Sequence, residues 1–332
     1  MKLYRKLLIL IIIIISTALI WRLAEKRQSM SEGFYNPFAT TADSEIKTVT
    51  STVVVGVKNA FNPNLPLMQY CIKASYNSAY SGSTVNTNMI AYVLTRGCRF
   101  LDFQLTYVLD SNQTPRVYVS TTYNKSTMLL GDAFTEIVKS AFNAPSPNAT
   151  DPLFIQFRIN SKNNDIYNMI GVNIKALLSS MLYSTKIDVE HTTLSDIGSK
   201  IVLIMDTTTT YNYTDSTYYP NPANNLNNFI MMESGSSQLQ TYTYSGLSLL
   251  AASQPTTDDQ ITASVKAPMK LVKPNAESNP HISIITTYGC QIIACQFYIN
   301  DTSLTSYESL FANNSAAFIP MGMAIQYINY NK

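Results

Sequence analysis

The 332-residue chain is 46% hydrophobic but only 13% charged, about half the charge usual in soluble domains, and its net charge is +2. That balance excludes a disordered chain and leaves no basic footprint for nucleic acid. Polarity comes instead from Ser, Thr, Asn and 22 Tyr.

Leu7 to Trp21 reads LLILIIIIISTALIW, between Lys2, Arg5 and Lys6 on one side and Arg22, Lys26 and Arg27 on the other. With Leu3, Tyr4 and the stems of Lys6 and Arg22 counted, the run reaches the ~17 residues that a spanning helix needs. A cleaved signal peptide is the rival reading, but no small-x-small site follows the run. The expectation is an N-terminal transmembrane helix within residues 1–27, holding a single-pass protein to membrane lipid, then a polar stalk over 28–55. Basic residues flank both ends, so the side of the membrane that the domain faces stays open.

From there apolar and helical segments alternate. MQYCIKASYN reads as a strand entering a loop, Asn86 to Leu94 as a helix, and GCRFLDFQLTYV and PRVYVST as strands. Asp132 to Phe142 has the spacing of an amphipathic helix; LFIQFRI is a strand, Asn164 to Tyr183 a helix, and SKIVLIMD a buried strand. This order predicts an α/β fold with parallel strands and helical crossovers, and eight such strands would close a TIM-like (β/α)8 barrel. Thr207 to Asn228 lacks periodicity, so 207–260 is read as a polar insertion. A second structured block, 261–332, contains HISIITTYGCQIIACQFYI, two apolar segments flanking Gly289.

Cys71, Cys98, Cys290 and Cys295 match neither a disulfide framework nor a zinc site, and are expected as buried thiols. Closure of the last strand onto the first would bring Cys295 near Cys71.

Several of these segments resemble, in order, the eukaryotic type of phosphatidylinositol-specific phospholipase C. YCIKASYNSAYSG is similar to that family's first strand and loop, GCRFLDFQL to its G-C-R-x-V-E-L-D strand, and DPLFIQFRINS to P-V-I-L-S-L-E-N-H. SKIVLIMD resembles K-I-L-I-K, and GCQIIACQFYI resembles G-C-Q-M-V-A-L-N-F-Q-T. The resemblance makes residues 56–206 an X-like half barrel and 261–332 a Y-like half barrel, with the insertion between them.

The family's reaction uses two imidazoles and a Ca2+ held by Asn, Glu and Asp oxygens. Carried over by motif, the first histidine position is Tyr76 and the second is Val119, with Ser120 beside it. The calcium-binding Asn is kept as Asn77. Asp102 stands for a Glu, Gln104 for an Asp and Arg158 for the last calcium Glu, while a phosphate-binding Lys falls near Met205. The resemblance therefore implies a degenerate, catalytically inactive member without its ancestral Ca2+ site, Asn77 and Asp102 being vestiges of it. Asn77, Asp102, Gln104 and Arg158 would form a polar pocket for an inositol or phosphoinositide headgroup, unless Arg158 pairs with Asp102 and fills it. The alternative is an active phosphoric diester hydrolase acting on phosphatidylinositol or a related lipid through a rearranged site. It requires His191 or His281, the chain's two histidines, within hydrogen-bond reach of Asn77. The Asn-, Ile-, Lys- and Tyr-leaning composition and the anchor suit a viral envelope or virion component.

Overall fold

The computed structural model describes residues 55–57, 61–110, 112–210, 212–247 and 269–331. The expected transmembrane helix, and all but the last residue of the stalk, lie outside the described residues. Among those that are described, no helix is long and apolar enough to cross a membrane.

Eight strands close a parallel barrel. In circular order they are β1 (Tyr70–Ser75), β2 (Phe100–Leu109), β5 (Leu153–Ile159), β6 (Ile201–Asp206), β7 (Ile230–Ser234), β8 (Leu239–Thr243), β9 (Met269–Lys273) and β10 (Ile292–Cys295), and β10 pairs again with β1. Outside the ring, β2 overshoots the wall and folds back antiparallel as β3 (Pro115–Ser120), which carries the short β4 (Met128–Leu129). β11 (Phe318–Pro320) lies antiparallel against the start of β1.

Alternation along the strands builds two apolar layers. Outward-facing Leu101, Phe103, Leu105, Phe157, Leu203 and Met205 pack under the helices. Inward-facing Ile72, Phe100, Phe154, Val202, Ile204, Leu271 and Ile292 fill the lower lumen. Among the described residues the α-helices are α1 (Thr87–Thr95), α2 (Leu130–Ser140), α3 (Asp165–Leu177), the single turn α4 (Leu194–Ile197), α5 (Ser283–Tyr288), α6 (Thr302–Asn313) and α7 (Met321–Tyr330).

Each helix follows local rules. Asn86 caps α1 by accepting a hydrogen bond from the Met89 amide. In α2, Leu130, Ala133, Phe134 and Ile137 recur at helical spacing and all are buried. Helix α3 presents Gly171 so closely to the turn Pro222–Asn224 that an added Cβ would lie 1.9 Å from the Asn224 carbonyl oxygen. Gly289 ends α5 in the left-handed conformation, at φ +63°. Two buried cations tie strands to helices. Arg99 donates to the Ala141 carbonyl, Ser146 and Asn148, while Lys73 pairs with Glu308 of α6 at 2.8 Å.

Two expectations are corrected here. The 207–260 segment is not merely an insertion, because it supplies β7 and β8. Its strands escape pattern reading because β8, LQTYT, turns Thr241 and Thr243 toward the lumen and so lacks an apolar alternation. The four cysteines are buried free thiols, but Cys71 and Cys295 are not neighbours. Ser75, not Cys71, lies opposite Cys295, a four-residue offset of roughly 13 Å along a strand. The Cys71 thiol lies instead 4.0 Å from the Cys290 carbonyl oxygen.

Candidate functional site

The upper lumen, at the C-terminal ends of the strands, is polar on all sides. Following the inward faces upward from the apolar floor leads to Asp102 and Gln104 on β2, Gln156 and Arg158 on β5, and Asp206 on β6. The far side is formed by Ser234 on β7, Thr241 on β8 and Lys273 on β9. Tyr76 and Asn77 enter from the loop after β1. Asn77 holds φ +47°, a left-handed turn that Asn tolerates, and its amide donates to Asp102 at 3.2 Å.

Arg158 is the hub. Its Nε donates to both Asp102 oxygens at 3.0 and 2.9 Å, and Nη2 donates to Asp102 Oδ1 at 2.8 Å. Nη2 also donates to Asn77 Oδ1, and Nη1 reaches Gln104 Oε1 at 3.4 Å. Gln156 adds a further donor to Asp102 at 2.9 Å. The Arg158 guanidinium lies over the Tyr76 ring, 4.5 Å from its centre. Burial alone would disfavour its charge, but Asp102 beside it holds its pKa above the usual arginine range. The four expected pocket residues are thus brought together, and they bond to one another.

A second ion pair was not foreseen from the sequence. Lys273 Nζ lies 2.6 Å from the fully buried carboxylate of Asp206, and β6 and β9 are separated by two strands, so the pair reaches across the lumen. Both residues end their strands on the inward face, two positions above Ile204 and Leu271. Assigning MKLVK as a barrel strand would have exposed Lys273. Met205, where the phosphate-binding Lys was expected, faces outward into the helix layer.

Val119 is corrected as a site position. It pairs with outward-facing Leu105 and is buried in the helix-side core. Ser120 pairs with Gln104 and accepts a hydrogen bond from the Gln104 amide at 3.3 Å, so a hydroxyl faces the site at this point. Tyrosines crowd the rim: Tyr80 stacks on Tyr123, and Tyr298 donates to Gln296 at 2.5 Å. Burial pushes the Tyr76 phenol up to about 12 and also raises those of Tyr123 and Tyr298.

Neither histidine is bonded at the mouth. His191 is exposed and pairs with Asp188 at 2.9 Å, in the loop that contacts the residues preceding β1. His281 bonds Ser283 at 3.0 Å and lines a groove of about 240 Å³ formed with α6 and α7, outside the barrel.

Residues 63–206 match the X domain of phosphatidylinositol-specific phospholipase C. The barrel is of the phosphatidylinositol-specific phospholipase C type. Among solved structures, this phospholipase C-type barrel is similar to L. pealei PLC21, with 15% identity and a TM-score of 0.61 over 80% of this chain and 39% of that one. It is also similar to S. officinalis PLC21, with 15% identity and a TM-score of 0.58 over 78% of this chain and 37% of that one. A calcium-dependent phosphoinositol-specific phospholipase C from Pseudomonas sp. aligns over 82% of this chain and its own entire length, at 10% identity and a TM-score of 0.50. The chain therefore spans about two fifths of the length of the two PLC21 proteins. No curated protein matches it.

The sequence resemblance makes Ca2+ the ion to test against the mouth. Ca2+ prefers 6–8 oxygens with several carboxylates among them. Here the converging oxygens come from one carboxylate, Asp102, and the amides of Asn77 and Gln104, and all of them accept from Arg158. These residues do not fit a dication.

Proposed function

We propose that this chain is a phospholipase C-type barrel that does not carry out calcium-dependent phosphodiester cleavage and serves as a binding or structural module at a membrane. The observation that supports this reading most directly is the bonding of the two histidines. His191 is engaged with Asp188 and His281 with Ser283, while the mouth offers a phenol pushed up to about 12 and a serine hydroxyl. Neither group exchanges a proton near neutral pH, and loss of one general acid or base typically costs ~10²–10⁴ in rate. Two such losses leave no useful turnover. The alternative reading, an active hydrolase with relocated imidazoles, has no hydrogen bond from either ring to Asn77 in its favour.

The tether in this reading is the apolar run within residues 1–27, and the ligand class worth testing is an inositol or phosphoinositide headgroup. A place in a viral envelope rests on composition alone and would be tested by detection in purified particles. The decisive experiment measures inositol phosphate release from phosphatidylinositol vesicles by the full chain, with calcium and with chelator, and vesicle binding beside it. No release is expected under either condition. Calcium-dependent release that is abolished by Asn77→Ala would overturn the proposal. Vesicle binding beyond what the N-terminal run alone produces would identify a headgroup reader, and its absence a structural component.

A further inference from the structure

We propose that the Arg158 guanidinium is the resident cation of the barrel mouth, held where oxygens converge and excluding a metal ion from them. Its nitrogens engage Asn77 Oδ1, both oxygens of Asp102 and Gln104 Oε1. Its side chain is 11% exposed and that of Asp102 1%, so the pair is shielded from bulk water. Behind it the Tyr76 ring closes the remaining face at 4.5 Å.

Charge and connectivity make this cation permanent. A guanidinium of raised pKa does not lose its proton in any ordinary buffer, and it cannot dissociate because it is part of the chain. An incoming dication would have to displace a bidentate fork from Asp102, and the other carboxylate that acts on Arg158, Asp206, is already held by Lys273 at 2.6 Å. The dication would then sit beside a second positive charge, at an oxygen cluster of net charge −1. The convergence of β1, β2 and β5 at the mouth is therefore secured by a side chain rather than by a metal. Calcium and chelators should leave both the fold and any binding at the mouth unchanged. This holds whether or not the barrel cleaves lipid.

The test uses the full chain in detergent and Tb3+, a hard ion that seeks the same oxygens and is sensitised by nearby tyrosines. Wild type is expected to show no saturable, Ca2+-displaceable luminescence, and the same melting temperature in Ca2+ and in chelator. Arg158→Glu removes the cation and gives Asp102 a second carboxylate beside it. This variant is expected to gain saturable Tb3+ luminescence displaced by Ca2+, and a melting temperature that rises with metal. Arg158→Gln supplies a neutral oxygen instead and serves if the glutamate variant does not fold. A displaceable Tb3+ signal in wild type that is lost in Asp102→Asn would overturn the inference. So would a folded Arg158→Glu that stays silent with metal. If neither variant folds, the wild-type measurement decides alone. Because no arm reads lipid cleavage, its failure is distinct from failure of the non-catalytic reading.

Discussion

The Arg158 guanidinium lies 4.5 Å from the centre of the Tyr76 ring, so a residue at a would-be imidazole position serves as the stacking surface for a residue at a would-be calcium position. The two replacements fit each other: the phenol supplies a π face, and the cation fills the space the ring bounds. A cation over a tyrosine contributes about 0.5–2 kcal/mol, more when water is excluded. Tyr76→Leu, which keeps the bulk and loses the face, is expected to lower unfolding free energy by about that amount. Tyr76→Phe should stay near wild type. Urea denaturation of the three proteins checks this, and equal loss in the Leu and Phe variants would show that the hydroxyl, not the face, carries the effect.

The pair spanning the lumen, Lys273 with Asp206, makes a second prediction. Asp206 is fully buried, and Lys273 bonds it at 2.6 Å. Lys273→Met strands a carboxylate in the lumen, which typically costs about 3–5 kcal/mol. The double variant Lys273→Met with Asp206→Asn removes both charges and should recover much of that loss, since a buried pair gives little over a neutral replacement. A double-mutant cycle in denaturant reads the coupling directly. A single variant that loses less than ~1 kcal/mol would mean that water already reaches Asp206.

Much of the fold was legible because the barrel strands that are buried on both faces carry dense apolar runs, as in FLDFQL, LFIQFRI and IVLIMD. What escaped has physical reasons. β8 turns hydroxyls toward a polar lumen, so its segment looks like loop, and β7 follows directly on the polar 207–228 stretch. Arg158 and Asp102 could be placed at one site from the motifs, but Lys273 could not, because MKLVK was not assigned as a strand. Val119 illustrates the limit of motif transfer: a one-residue step along a strand exchanges core for site, and only the pairing with β2 reveals that Ser120 faces inward.

The four thiols give a chemical readout of the same packing. Burial pushes Cys98 and Cys290 up to about 12, and Cys71 and Cys295 also lie well above the usual thiol range. At pH 8 the reactive thiolate is a minor species of roughly one part in 10⁴ for such a group, and access is closed as well. Ellman's reagent is therefore expected to label none of the four cysteines in the native domain and all of them in guanidinium chloride. Rapid labelling of any one under native conditions would show that its strand opens locally.

Alkaline stability follows from the buried phenols. Burial pushes both Tyr70 and Tyr76 up to about 12, from an ordinary value of about 10. The folded state holds these protons more tightly than the unfolded state, so their contribution is whole below pH 10 and is lost as pH rises from 10 toward 12. Within that window the unfolded chain ionises first, and each such tyrosine lowers stability by up to about 1.4 kcal/mol per pH unit. The denaturation midpoint should start to fall near pH 9, where the four buried thiols already favour the unfolded chain, and fall more steeply above pH 10 as the phenols join them. Tyr76→Phe should make that fall shallower by about one proton while leaving the midpoint at pH 8 nearly unchanged. Tyrosinate absorbance near pH 10 that is present in the folded wild type and smaller in folded Tyr76→Phe would show that water reaches the Tyr76 ring, and would remove the closed mouth on which the Arg158 stack depends.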